Sequence, residues 1–392
     1  ILSGFEGQAV ESGTQDTITL AQIDLTKMGA VDEALAGFGS ALTESASTLA
    51  PVVGRAEAST LGFAKSPDET ESSHLLDLGG LASTIGAESE DVSEEADALV
   101  EAIDEAVIDD VEGVTTEGAT GLSIYFPPTI ELADGAYQDV ATAGPWLDFL
   151  MTYYDAGSAI PAEEAPAFVD PNGEAEVEFA DDGVYLTGTY DELGQANLTD
   201  ATISYAFIED DGSLTYFGEE SASIDPDGAP VAAGYYDLTA LTIDDGEDSA
   251  YVYVALDYED GAESFTIDVP MAYYAPDDVD GETYQDVLLS LTLEAESGDV
   301  IGETYYAYDP DSDGYGEFAP EPDGIIVPEV LNLAADGTEE WTATTDVGLY
   351  ADVANLAYTL EPLPSGTQLQ VDLTVYDYGD NSSTVSAYIE AP

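Results

Sequence analysis

Cysteine is absent from the 392 residues, and only Lys27, Arg55 and Lys65 carry a fixed positive charge. Without thiols the chain forms no disulfide, no thiolate metal site and no cysteine nucleophile of its own. Three basic residues stand against 84 acidic ones, a formal charge of −81. Such a field repels phosphate backbones and excludes nucleic acid as a partner. The single histidine, His74, sits in the polar stretch ESSHLL, where an exposed loop is expected. A serine triad would need it as base, and no Gly-x-Ser-x-Gly elbow accompanies it. No run approaches the ~20 apolar residues of a membrane span. The chain opens on Ile1 without a charged-then-apolar leader, which leads us to expect its true N-terminus upstream.

Acidity of this order also describes a disordered tail, but such tails are poor in aromatics and cannot bury a core. Here 44% of residues are hydrophobic and there are 25 Tyr, 11 Phe and 2 Trp, so a folded protein is expected. Self-repulsion destabilises a compact polyanion at ordinary ionic strength, whereas in molar salt the Debye length falls to ~3 Å. The composition therefore reads as that of a halophilic, archaeal-type protein that unfolds on desalting. Its length suggests about two or three domains.

The first part of the chain has helical periodicity. From Met28 to Leu49, Val31, Leu35, Phe38 and Leu42 mark one buried face, and Val92, Ala96, Leu99, Ile103 and Ala106 mark another behind Ser89 or Asp91 as N-cap. Residues 121–126 (GLSIYF), ended by Pro127 and Pro128, read as a strand buried on both faces of a helix-covered sheet. A further helix follows Gly144-Pro145, with Trp146, Phe149, Leu150 and Tyr153 on one face. Residues 1–156 are thus α/β, and 157–168, with two prolines and paired Glu, form an exposed linker. Beyond it the period becomes 2, as in Tyr251 to Tyr258 and Leu369 to Tyr376, with turn signals such as Asp210-Asp211-Gly212 and Asp244-Asp245-Gly246. Two antiparallel β-sandwich modules are expected, at 169–276 and 277–392.

Three segments in order resemble the clostripain-like cysteine peptidases: Thr19-Leu-Ala-Gln-Ile-Asp-Leu-Thr-Lys27 leading into VDEALAGF, the Asp77-Leu78 pair, and 121–127 followed by Trp146-x-x-Phe149-Leu150. The resemblance covers roughly residues 10–155. It implies a caspase-like α/β fold of which this chain holds the C-terminal part, together with secretion and maturation by internal cleavage. The family's His and Cys dyad, in which imidazole activates a thiolate, is expected upstream of Thr19. Neither residue maps onto this chain, and His74 matches no catalytic position. The front part would then be a separate chain, a missing segment, or lost with catalysis.

Candidate sites are few. Asp309, Asp311 and Asp313 alternate before Gly314, with Tyr315 and Glu317 following, as in the first half of a Ca2+ loop; the twelfth position is Pro320, where a bidentate Glu would close the shell. The alternative is an acidic turn between strands. Asp225-Pro-Asp227-Gly228 and Asp277-Asp278-Val-Asp280-Gly281 are weaker versions. Asn197-Leu-Thr199 and Asn381-Ser-Ser383 are glycosylation sequons, expected on exposed loops if the protein is exported. Tyr251, Tyr253, Tyr273, Tyr274, Tyr305, Tyr306 and Tyr308 are carbohydrate-stacking candidates or simply strand formers. A carboxylate pair for glycoside hydrolysis cannot be picked from 84 acids.

Two functional expectations follow. One is the non-catalytic C-terminal portion of an exported clostripain-like peptidase, its β modules positioning substrate, binding Ca2+ or attaching to a surface layer. The other is an extracellular structural protein, a filament or surface-layer subunit reusing the scaffold. Either way, strands missing from the α/β domain would leave unpaired edges, so a companion chain or neighbouring subunit is expected to cover them, and a homo-oligomer or surface assembly is in view.

Overall fold

The computed structural model describes residues 2–12, 18–63, 73–113, 116–133, 137, 144–170, 175–180, 183–209, 211–224, 228–257, 264–276, 284–294, 298–309, 314–343 and 348–392. Two units emerge: Ile1–Pro166 with Asp191–Asp200 and Tyr376–Ser382, and Ala167–Tyr190 with Ala201–Val375 and Ser383–Pro392. Among the described residues every α-helix belongs to the first unit, and the second is built of strands. The chain is therefore mixed α and β, then β-rich. No helix among the described residues is long and apolar enough to cross a membrane.

The first unit contains helices α1 (Leu2–Ser12), α2 (Met28–Glu44), α3 (Ala46–Ser59), α4 (Leu78–Glu88), α5 (Ser93–Ala106) and α6 (Gly144–Ser158), and strands β1 (Thr19–Ile23), β2 (Gly62–Phe63), β3 (Leu75–Asp77), β4 (Val107–Glu112) and β5 (Ser123–Tyr125). The stripe expected to run from Met28 to Leu49 is broken at Ser45, whose backbone (φ −112°, ψ 10°) leaves the helical region between α2 and α3. The start of α5 also differs. Ser89 closes the end of α4, and Val92, fully buried, is the N-cap of α5 without a side-chain bond. Its first turn carries Glu94 and Glu95, which the helix dipole favours. Its buried face is Ala96, Leu99, Ile103 and Ala106, as the periodicity requires.

The run 121–126 has a partner strand but is not buried on both faces. β5 pairs antiparallel with β3, and its residues alternate, Ser123 exposed and Ile124 buried. The order β2-β3-β5 also leaves it an edge among the described residues. The anchor is Phe126, just beyond: 1% exposed, it meets Trp146, Phe149 and Tyr153 of α6 edge-on at centroid distances of 5.7, 6.4 and 5.5 Å. Trp146 Nε1 donates to the Tyr125 carbonyl at 2.8 Å and the Tyr154 hydroxyl to the Pro127 carbonyl at 2.6 Å. Both aromatic polar ends are satisfied where they are buried.

The segment 157–168 is only partly a linker. Helix α6 runs through Ser158, Gly157 is buried, and 161–164 are exposed. A Cβ on Gly157 would stand 2.8 Å from the Gly379 Cα, so glycines on both sides permit a backbone-to-backbone approach.

The second unit uses β6 (Glu176–Phe179), β7 (Val184–Thr189), β8 (Leu198–Ile208), β9 (Leu214–Ser221), β10 (Ser223–Ile224), β11 (Val231–Tyr236), β12 (Thr239–Asp244), β13 (Ser249–Tyr251), β14 (Val254–Asp257), β15 (Ser264–Tyr274), β16 (Gln285–Glu294), β17 (Val300–Asp309), β18 (Gly314–Phe318), β19 (Ile325–Leu333), β20 (Glu339–Ala343), β21 (Leu349–Tyr350), β22 (Ala357–Pro362), β23 (Gln368–Asp377) and β24 (Ser382–Glu390). They form sheets of four (β10-β11-β7-β6), three (β13-β12-β22) and twelve strands. The twelve-stranded sheet runs β18-β17-β16-β15-β14-β9-β8-β23-β24, with β19 to β21 branching from it. No break coincides with the expected boundary at 276/277. β15 and β16, on either side of it, pair from Ser264↔Glu294 to Tyr273↔Gln285. The strand β9 lies parallel to β14, a long-range neighbour that local alternation does not reveal. A core of Leu241, Ile243, Ile267, Val269, Leu289 and Leu291, with further residues, packs beneath. β23, expected to alternate, is buried from Val371 to Val375, so both its faces are covered.

Candidate functional site

The sequence-predicted Ca2+ loop is only partly visible. β17 and β18 pair up to Asp309↔Gly314, residues 310–313 lie outside the described residues, and the side chains of Asp309 and Tyr315 do as well. Glu317, on β18, is exposed. The turns at 225–227 and 277–281 likewise fall outside. Among the described residues no group of three or more His, Cys, Asp or Glu has metal-holding geometry.

The sequon asparagines are not on free loops. Both are half-buried. Asn197 Nδ2, the atom a glycan would occupy, donates to the Glu164 carbonyl at 3.0 Å. Asn381 Nδ2 donates to both Asp377 oxygens at 3.1 Å, closing the turn between β23 and β24. The sequon hydroxyls are also engaged: Thr199 Oγ1 donates to the Tyr376 carbonyl at 3.5 Å, and Ser383 Oγ accepts from the Phe168 amide at 3.3 Å.

His74 is half-buried, against the expectation of an exposed loop. Its carbonyl accepts from the Phe126 amide at 2.7 Å, extending the β3–β5 ladder by one rung, and its ring meets Tyr125 edge-on at 6.2 Å. Asp77, 1% exposed, accepts from the Gly80 amide (2.7 Å), the Thr120 amide (2.7 Å) and Thr120 Oγ1 (2.8 Å). It caps α4 and ties that helix to the approach of β5. The tyrosines mostly serve the sheet: Tyr253, Tyr273 and Tyr305 are buried, Tyr251 is exposed. Tyr273 packs on Phe318 (5.0 Å) and its hydroxyl accepts from the Glu321 amide (3.0 Å).

What the second unit does present is carboxylate without counter-charge. Lys27, Arg55, Lys65 and His74 all fall in the first unit, where Lys27 pairs with Glu105 (2.6 Å) and Arg55 with Glu88 (3.0 Å). The second unit has no basic side chain. Many of its aspartates are instead held by main-chain amides two residues on, in turns of the form Asp-x-Ser/Thr. Asp211 accepts from Ser213 N and Oγ (3.0 and 2.6 Å), Asp237 from Thr239 N and Oγ1 (2.9 and 2.7 Å), and Asp336 from Thr338 N (3.1 Å). For Asp211 and Asp336 the Ser213 and Thr338 bonds hold the carboxyl below its ordinary value. The pattern was readable in the sequence, although Asp372-Leu-Thr374, inside β23, shows that it needs a turn to act.

Aspartates also border a cavity of about 210 Å3, lined by Asp245, Glu247, Asp323, Tyr350, Asp352 and Asn355. Partial burial works against ionisation of Asp245, but the amides of Asp248, Tyr350 and Glu247 outweigh it and keep its pKa low. Asn355 Nδ2 donates to Asp352 at 2.6 Å. The site is negative, and the amides of Glu247, Asp248 and Tyr350 are engaged with the Asp245 carboxylate.

Three buried or half-buried acids lie beside phenols instead. Glu220 Oε1 accepts from Tyr205 at 3.0 Å; burial, reinforced by Asp237 and opposed by that bond, pushes its pKa up to about 7. Asp372, 4% exposed, accepts from Tyr216 at 2.6 Å. Glu303 shares the core-facing side of β17 with Tyr305, and Tyr358 of β22 reaches the same core. Burial raises Glu303, with Tyr358 and Tyr305 pulling it back. Glu303 Oε1, Tyr305 Oη and Tyr358 Oη are all buried, and the phenols meet the carboxyl and each other short of ideal hydrogen-bond geometry.

No family model and no curated protein matches the chain. Among solved structures, a tetra-tandem repeat from the extending region of a large adhesion protein covers 55% of this chain and 72% of its own, at 14% identity and a TM-score of 0.10. A likeness that slight carries no argument.

Proposed function

We propose that this chain is the non-catalytic portion of an exported, salt-dependent protein built on a clostripain-like scaffold, its β-rich unit an acid-coated module that works only with solution cations around it. The observation that carries this reading is the segregation of charge: a whole β unit without one Lys, Arg or His. Its carboxylates are balanced only by backbone amides, by protons or by dissolved cations, and cations are supplied outside the cell in brine. Ca2+ held by Asp309, Asp311, Asp313, Tyr315 and Glu317 and glycans on Asn197 and Asn381 belong to the same proposal. The caspase-like character of the first unit rests on the segments that resemble the peptidase family. There Asp77 is spent on capping α4, which suits a supporting role.

A second reading, a filament or surface-layer subunit, is favoured by β6. Among the described residues it is an edge strand, exposed along its length, and such an edge offers its backbone to a further strand. Mass analysis of natural material kept in molar salt separates the two. A second polypeptide carrying the His and Cys dyad supports the peptidase context, multiples of this chain alone support assembly, and a lone monomer contradicts both.

A further inference from the structure

Tyr216 on β9 stands directly opposite Ala206 on β8, so the two side chains share a face of the sheet. The Tyr216 hydroxyl nevertheless donates to Asp372 at 2.6 Å, and Asp372 lies on β23, one strand beyond β8. The phenol reaches it by lying across Ala206, whose small side chain leaves room for the ring and is 0% exposed. Gln370 Nε2 donates to both Asp372 oxygens at 2.9 Å. The carboxylate thus fixes a ring on one side and an amide on the other. Burial, then Asp372, hold the Tyr216 hydroxyl well above its ordinary value, and Glu339 and Tyr388 stand close enough to add to the effect.

Further rings extend this platform. Gln368 bonds Glu390 and Thr374 bonds Thr384, a register that sets Tyr388 of β24 opposite Gln370. Tyr388 is 63% exposed. On the other side, Leu331 of β19 pairs with Tyr216 and also with Trp341 of β20, which is 38% exposed. From β20 through β19, β9, β8 and β23 to β24, neighbouring strands at their usual separation give a face about 24 Å wide.

A partner for this face must suit rings and an amide within a wholly acidic unit. Anions are repelled, because the unit holds no Lys, Arg or His. A cation finds free carboxylates elsewhere on the unit, whereas Asp372 is buried and already bonded. What matches is a neutral molecule with flat C–H faces for the electron-rich rings, edged by hydroxyls from which Gln370 Oε1 accepts. We propose that Tyr216, Gln370, Tyr388 and Trp341 form a binding face for a neutral polysaccharide of β1,4-linked hexopyranoses, whose equatorial linkages keep the sugar faces flat and the chain extended. Such binding goes beyond the peptidase and assembly readings and requires neither.

Isothermal titration calorimetry of the intact chain in molar salt, with cellohexaose, mannohexaose and N-acetylated chitohexaose as probes, provides the test. At least one should bind. Tyr388→Ala should weaken that binding about tenfold, as loss of a stacked ring requires, while Tyr388→Phe keeps the ring and the affinity. Gln370→Ala should weaken it as well. Tyr185→Ala, which removes an exposed ring of β7 outside this face, should bind as the wild type does. Tyr388 is exposed, so its variants should melt with the wild type; were Tyr388→Ala to unfold early, Gln370→Ala and Tyr388→Phe would still decide. Failure of all three sugars to bind, or binding that Tyr388→Ala and Gln370→Ala leave unchanged, would overturn the proposal. So would tighter binding of hexalysine or of hexagalacturonate than of any of the three, which would assign the face to a basic or an anionic partner.

Discussion

Replacing Glu220 by Gln should stabilise the protein, and by an amount that depends on pH. Glu220 lies on β9 and Tyr205 on β8, where Tyr205 faces Gly218 across the ladder and stacks on Tyr236 at 3.9 Å. The carboxyl titrates near 7 in the folded chain against 4.5 for the free side chain. Between those values the native state holds a proton that the unfolded state has released, so the contribution of this group is undiminished below about pH 4.5 and stability is lost as pH rises toward 7. At 1.36 kcal/mol per pK unit, the full cost above pH 7 is about 3 kcal/mol, an upper figure for a group that keeps some solvent contact. Gln retains the shape and an oxygen to accept from Tyr205, but never ionises. Denaturant unfolding of the wild type and Glu220→Gln at fixed molar salt should therefore agree within about 1 kcal/mol near pH 4.5 and separate by about 2–3 kcal/mol in favour of the variant at pH 8. A difference that does not change with pH, or a variant less stable at pH 8, would refute the reasoning.

Phe126→Ala, which empties the space among Trp146, Phe149 and Tyr153, should cost about 3–5 kcal/mol; a loss under about 1 kcal/mol, measured by thermal unfolding followed through tryptophan fluorescence, would show the ring is not the anchor described. Asp77→Ala removes an N-cap and leaves the Thr120 amide and hydroxyl proton without their acceptor, though Thr120 Oγ1 still accepts from the Gly79 amide; a loss of about 2–4 kcal/mol is expected, with Asp77→Asn recovering part of it, by denaturant unfolding.

The helices of the first unit were legible because a 3.6-residue stripe is local: Ala96, Leu99, Ile103 and Ala106 need only their own helix to declare a face. Their ends were less so, since Ser89 had two helices to serve and closed the first. The linker composition at 157–168 brackets the unit boundary at Pro166. Acidic turns mark hairpins as readily as domain ends, and the β15–β16 register shows strands paired on either side of 277. Charge segregation was present in the sequence, but its meaning depended on where the units part. Buried Glu220, Glu303 and Asp372 were invisible among 84 acids. Cross-strand neighbours, not neighbours in the chain, bury them.

The claim that the β-rich unit is held together only when cations surround it is tested most directly by following its β-sheet circular dichroism as molar salt is diluted. As the Debye length grows from ~3 Å toward ~30 Å at ~0.01 M, the sheet signal should collapse cooperatively and return when salt is restored. A chain that keeps its sheet signal unchanged in dilute, metal-free buffer would contradict the account.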